Sequence, residues 1–226
     1  RPASLTAKAR ASRAGPVLPA GREARVLLVA VLIATLGQGV VLPYLYVYLT
    51  KVRGLDPVLA GGVGAWVGLC GLVLAGPAGS LVDRYGARRV FFGLDLLYAA
   101  GVVAYGHAHH PWQVFGAATL ACLGTAPLLG AYNTLLASVA EGDEQLHLFA
   151  VAFATLNLGL GLGGLLGGWF ADVRRPETFT RLYSFDGVLL VVAGLFVLGL
   201  RRVGNTVDRR HGDLRPHDLE AALHRP

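Results

Sequence analysis

The chain has no methionine, two cysteines and few charged residues. The missing methionine predicts that the N-terminus has been trimmed, or that these 226 residues are a piece of something longer. Cys70 and Cys122 both fall inside apolar runs and lack C-x-x-C spacing. They read as small buried hydrophobes, which excludes a disulfide framework or a cysteine metal site. Charged residues make up 15% of the chain, where a soluble domain carries roughly a quarter. With 54% hydrophobic residues, much of this chain must face lipid rather than water. G-x-S-x-G, H-E-x-x-H and the P-loop are also missing, so acyl and phosphoryl chemistry have no home. His107, His109 and His110 cluster in one connection without a carboxylate or cysteine beside them, and read as a polar loop tip. The expectation is a protein that is not an enzyme and has no cofactor or metal.

What is abundant is glycine, 31 residues, set inside apolar runs where small side chains let helices approach closely. A helix needs about 20 mostly apolar residues to cross a bilayer. Six segments qualify: 26–49, 58–81, 90–107, 113–138, 146–171 and 182–200, the last opening on Asp186. Open sheets do not survive in lipid, and the short connections force sequential antiparallel neighbours. The predicted fold is an all-α membrane protein with a six-helix bundle over 25–200. Residues 1–24 are predicted to be a basic, disordered cytoplasmic tail, and 201–226 a polar cytoplasmic linker or tail.

Fifteen of the 20 Lys and Arg residues fall on the side of the N-terminus, the 82–89 connection and the C-terminus. By the positive-inside rule both termini are cytoplasmic. The net charge of +6 is concentrated at the two ends, where it anchors spans to a membrane surface; nucleic acid is not expected as a partner. The basic residues are nearly all Arg, the usage of a GC-rich bacterial genome. The expected setting is therefore a bacterial inner membrane, crossed several times, with the lipid bilayer as the principal partner.

The densest polar stretch is GSLVDRYGARRV, 79–90. A positive-inside hairpin explains its arginines and Gly86, but not Asp83, which sits at a helix C-terminus against the macrodipole and calls for Arg88 or Arg89 nearby. Asp95 lies about 9 Å beyond Arg89 along the third span at helical rise. An acid at that depth marks either structural pairing with Arg88 or Arg89, or ion coupling. Gln38 and Asn157 lie near the middle of the first and fifth spans. Each is either an interhelical hydrogen-bond former or part of a substrate site, with Trp66, Tyr132 and Asn133 as further candidates. Gly159, Gly163 and Gly167 repeat every four residues in the fifth span, with Gly168 beside them, as a face for close packing.

Gly79, Asp83, Arg84, Gly86 and Arg88 resemble the G-x-x-x-D-R-x-G-R-[KR] signature between spans two and three of the major facilitator superfamily. Ala87 stands where Arg is usual, with Arg89 following. The glycines of the fifth span resemble the G-x-x-x-G-P-x-x-G-G motif of the family's drug–proton exchangers, with Gly164 in the place of the proline. GQGVVLPYLYVYL, 37–49, is similar to the family's first-span pattern, in which Pro43 can kink the helix. The fourth span lacks the Arg of the R-x-x-x-G-x-G pattern of proton-coupled exporters, which weighs against proton antiport. The resemblance implies the N-terminal half of a drug-exporter-like transporter, built from two three-helix repeats. It implies secondary active transport of a small molecule, as efflux by alternating access, against a second six-helix half supplied by a missing C-terminal part or another copy. It also implies that Asp83 and Arg84 latch the cytoplasmic side shut. The alternative is a truncated, non-transporting membrane bundle or scaffold.

Overall fold

Lipid leaves a spanning backbone only its own carbonyls to bond with, and the helix is the form that uses them all. The computed structural model describes residues 21–74 and 78–200, with backbone alone at 78, 79, 82 and 83. Among these it contains six helices long and apolar enough to cross a membrane, and no strand. In chain order the elements are α1 (Arg22–Val52), α2 (Pro57–Leu74), α3 (Ala78–Tyr85), α4 (Ala87–His107), α5 (Pro111–Ala137), α6 (Gly142–Phe170) and α7 (Pro176–Leu198). The short α3 has no spanning length and carries the 79–85 part of the polar stretch.

Most helices run past their apolar windows because capping residues are polar. His110 and Gln113 form a reciprocal capping box at the start of α5, with Pro111 at the first turn. Pro176 opens α7, so this helix begins six residues before the predicted 182. That start corrects the position of Asp186: it lies about 15 Å into the helix at 1.5 Å per residue, fully buried rather than at the opening of a span. At the other end of the chain, Arg22 to Ala24 belong to α1 rather than to a tail. The remainder of the two predicted tails, 1–20 and 201–226, lies outside the described residues.

α1 is not uniform. A 3-10 turn at Leu42–Tyr44, with Pro43 in it, interrupts the α-helix, and the last five residues, Tyr48–Val52, form a π-helical turn. Proline supplies no N–H to the ladder, so the helix must change pitch there.

One end of the bundle carries the start of α1 and the end of α7 and is called basal here; the other carries Arg53, Gly106 and Thr180 and is called distal. α1 packs between α6 and α7, α7 continues against α4, α4 against α5, and α5 against α2. Two apolar clusters fill the interior. The basal one centres on Leu27, Leu135, Leu136, Leu148 and Val197, the distal one on Tyr48, Val63, Val114, Phe179 and Leu190.

Candidate functional site

Within the distal half a cavity of about 190 Å³ is walled by Gln38, Leu42 and Leu45 of α1, Val67 of α2, Tyr98 and Tyr105 of α4, Cys122 and Thr125 of α5, and Tyr183 of α7. Gln38 stands beside the Tyr98 hydroxyl. A carboxamide in hydrocarbon needs such a partner, and this pair sets polar groups on an otherwise aromatic and aliphatic wall. A chamber of this kind suits an apolar or aromatic molecule held by a few directional bonds.

Above the cavity a clamp closes the distal end. Gly106 is in the last turn of α4, where carbonyls lack intrahelical partners. Its oxygen accepts from the Arg53 guanidinium at 2.6 Å, the Thr180 hydroxyl at 2.8 Å and the Tyr48 hydroxyl at 3.2 Å. The single Tyr48 hydroxyl proton is shared between Gly106 O and the nearer Tyr105 O at 2.9 Å, and the hydroxyl oxygen accepts from Arg53 Nε at 2.6 Å. The Tyr48 ring packs on Phe179 and Tyr183, with centroids 5.3 and 5.0 Å away. The π-helical turn places Tyr48 and Arg53 together on this face.

The polar stretch at the basal end is partly described. Gly86 caps α4 with φ of 83°, a conformation that glycine adopts at little cost and residues with a Cβ rarely do. Ala87, where the family signature favours Arg, is buried in the basal cluster. Arg88 reaches across to α7 and donates to Leu200 O at 2.6 Å, satisfying a carbonyl beyond the end of that helix. Arg84 lies over the Tyr85 ring, and Arg89 is exposed. The side chain of Asp83 and the surroundings of Gly79 lie outside the described residues.

The remaining predicted residues are not gathered at one place. Gln38 lines the cavity. Trp66 is exposed on α2 and donates to Thr119 Oγ1 at 2.9 Å, stacked edge-on to Phe115. Asn157 is exposed and donates to Phe153 O of its own helix. Tyr132 is buried in the basal cluster beside Phe91, and Asn133 is exposed on the following position. Asp95 does not pair with Arg88 or Arg89; its oxygens are buried without a hydrogen-bond partner. Gly159, Gly163 and Gly167 all press on α1: a Cβ at Gly163 would strike Leu36 O and come within 2.9 Å of Gly39 Cα. Gly168 packs under the Tyr44 hydroxyl, which donates to Gly164 O at 2.8 Å. α6 is a continuous α-helix through Gly164.

Sequence reasoning missed Tyr98, Tyr105, Tyr183, Asp186 and Arg53. The tyrosines look like core aromatics inside apolar runs. Only the depth of Asp186, read from a helix start at Pro176, would have singled that acid out.

The profile of the Major Facilitator Superfamily matches residues 27–224. The chain belongs to that family. Members similar to it include the uncharacterized MFS-type transporter YqjV of Bacillus subtilis, 24% identical over 173 residues that cover 74% of this chain and 41% of YqjV. The multidrug resistance protein MdtH of Shigella sonnei is 27% identical over 175 residues, covering 76% of this chain and 40% of MdtH. The chain thus spans about two-fifths of the length of these relatives. The crystal structure of peptide transporter POT in complex with alafosfalin superposes with a TM-score of 0.69 at 21% identity, over 80% of this chain and 38% of that one, a likeness of fold. Family membership and six spanning helices make this a multi-pass membrane protein of a transporter family, similar to multidrug resistance proteins. YqjV is named as a transporter of this family.

Proposed function

We propose that the chain is one six-helix half of a secondary active transporter that exports small, largely apolar molecules by alternating access. The observation that carries this reading is the cavity beside Gln38 and Tyr98. Its wall is mostly aromatic and aliphatic, with one carboxamide–phenol pair and Thr125 to orient a ligand, and relatives of the chain are named multidrug resistance proteins. Gln38 is the substrate contact; Trp66, Asn157, Tyr132 and Asn133 stand off the cavity, and the exposed ones among them are positions for contact with lipid or with a second half. In this reading the half comprises two three-helix repeats. Both termini are cytoplasmic, and the membrane is the bacterial inner membrane. A second six-helix half closes against the exposed faces of α2 and α6. Asp83 and Arg84 latch the basal end, while Gly86 and Arg88 hold the turn in place.

Alternating access requires one half to rock against another as a unit. The clamp on Gly106 ties α1, α4 and α7 together and gives this half the rigidity that such motion needs. The test is ethidium efflux from a pump-deficient bacterium expressing the chain joined to its completing half. Export above the empty-vector level, lowered by Gln38→Ala or Tyr98→Ala at equal membrane abundance, is expected. Efflux no faster than the empty vector, from protein correctly inserted, would return the chain to a non-transporting bundle.

A further inference from the structure

Two acids occupy the dry interior of the bundle. Asp95 of α4 is 1% exposed and Asp186 of α7 is fully buried, and all four carboxyl oxygens lack a hydrogen-bond partner. Each is aimed at a glycine of a neighbouring helix. A Cβ at Gly194 of α7 would come within 2.6 Å of Asp95 Oδ2, and one at Gly37 of α1 would strike Asp186 Oδ1. The two glycines clear room for the acids, and the close fit leaves little room for anything larger than a proton.

The groups facing the pair come from α1, α4 and α7. α1 contributes Gly37 and, beside Tyr98, Gln38. α4 contributes Tyr98, which interacts with both acids. α7 contributes the Gly194 amide beside Asp95, already engaged along its own helix, and Tyr183, which interacts with Asp186 through the field. The Tyr183 hydroxyl is itself buried and unpartnered. No described Lys, Arg or His pairs with either acid. A bare carboxylate in such a place is too costly to persist, so its charge must be cancelled by a bound cation. Metal ions of this kind require several oxygens at once, and the described residues hold no group of three His, Cys, Asp or Glu placed to supply them. A proton requires one oxygen.

Tyr98 and Tyr183 line the cavity and lie within electrostatic reach of the acids, which ties the pair to the chamber. We propose that Asp95 and Asp186 form a proton-binding pair, loaded and emptied through the Gln38–Tyr98 cavity, that supplies the driving ion for transport. The driving role rests on the transport reading above; proton binding does not. On loading, hydronium in the cavity gives a proton to a carboxylate oxygen and leaves water. On emptying, the acid returns the proton to water, and the charge left behind disfavours the tight contacts of α7 with α1 and α4. This assigns the coupling ion by a route other than the arginine that the fourth span lacks.

Infrared difference spectra of the 226-residue chain in lipid nanodiscs, recorded as pH is raised, test the binding. A carboxylic-acid carbonyl band is expected at neutral pH, shifted by deuterium oxide, unchanged by added sodium, and reduced in Asp95→Asn and in Asp186→Asn. The wild-type band needs no variant to fold. Absence of the band at neutral pH, its loss on adding sodium, or its persistence unchanged in both folded variants would overturn the proposal. The driving role is read in vesicles holding the completed transporter: proton-driven ethidium accumulation is lost in Asp186→Asn. Ethidium movement in the wild type without proton movement overturns that role. No ethidium movement at all overturns the transport reading and the driving role together, and the spectra still decide whether the pair binds protons.

Discussion

α2 and α6 are both rich in glycine, yet they use it in opposite ways. Along α6, Gly159, Gly163 and Gly167 abut backbone and side-chain atoms of α1, so closely that a methyl group at any of them would collide. Along α2, Gly61, Gly64, Gly68 and Gly71 have nothing within 4 Å of where a Cβ would stand. In sequence both helices look like small-residue packing faces. In the structure one glycine face is occupied and the other is bare: 11% of the most apolar window of α2 is buried, against 22% for α6. Small residues therefore mark where a backbone can come close, and only the fold says whether one does. In the proposed transporter, the bare face of α2 is a surface for the second half.

Substitutions can break this comparison or sharpen it. Gly163→Val is expected to do the most damage, because a branched side chain must push α6 away from Leu36 and Gly39 of α1; a loss of about 3 kcal/mol is anticipated. Reversible unfolding of the purified chain in mixed micelles would measure it. Gly39→Ala approaches the same crossing from α1, where a Cβ would meet Leu160 O and come within 2.9 Å of Leu160 Cα, and should lose about 1–2 kcal/mol. If both variants unfold like the wild type, α6 and α1 do not touch as described. Tyr44→Phe removes the hydrogen bond to Gly164 O and should cost about 0.6 kcal/mol, the average for such bonds in membrane bundles. Gly64→Ala should change the stability of the chain by less than about 0.5 kcal/mol, as substitutions away from contacts do. The sharpening experiment is Gly64→Leu in the completed transporter, expected to slow ethidium efflux while leaving the stability of this half unaltered. Unaltered efflux would place that part of α2 against lipid.

The number of spans was readable in the sequence because bilayer thickness imposes a length that composition reveals directly. Their ends were not, since Pro111 and Pro176 extend helices with residues that an apolar window leaves out. That error at α7 is what hid Asp186. Of the candidate site, Gln38 was readable because an amide in a greasy run is conspicuous. Tyr98, Tyr105 and Tyr183 were not, because a tyrosine facing a cavity and one filling a core have the same letter and similar neighbours. Asn157 shows the converse: a polar residue deep in a span can satisfy itself on its own helix and face outward.

Gly106 carries a consequence for how such proteins are searched for important positions. Substitution there would register as steric, since a Cβ would sit 2.8 Å from that of Tyr183. Yet its carbonyl, an atom common to all amino acids, is where Arg53, Tyr48 and Thr180 converge. Mutational scanning would find the three donors and misread the acceptor. An ester in place of the amide that follows Gly106, which weakens this one oxygen as an acceptor and leaves every side chain intact, would expose the knot directly.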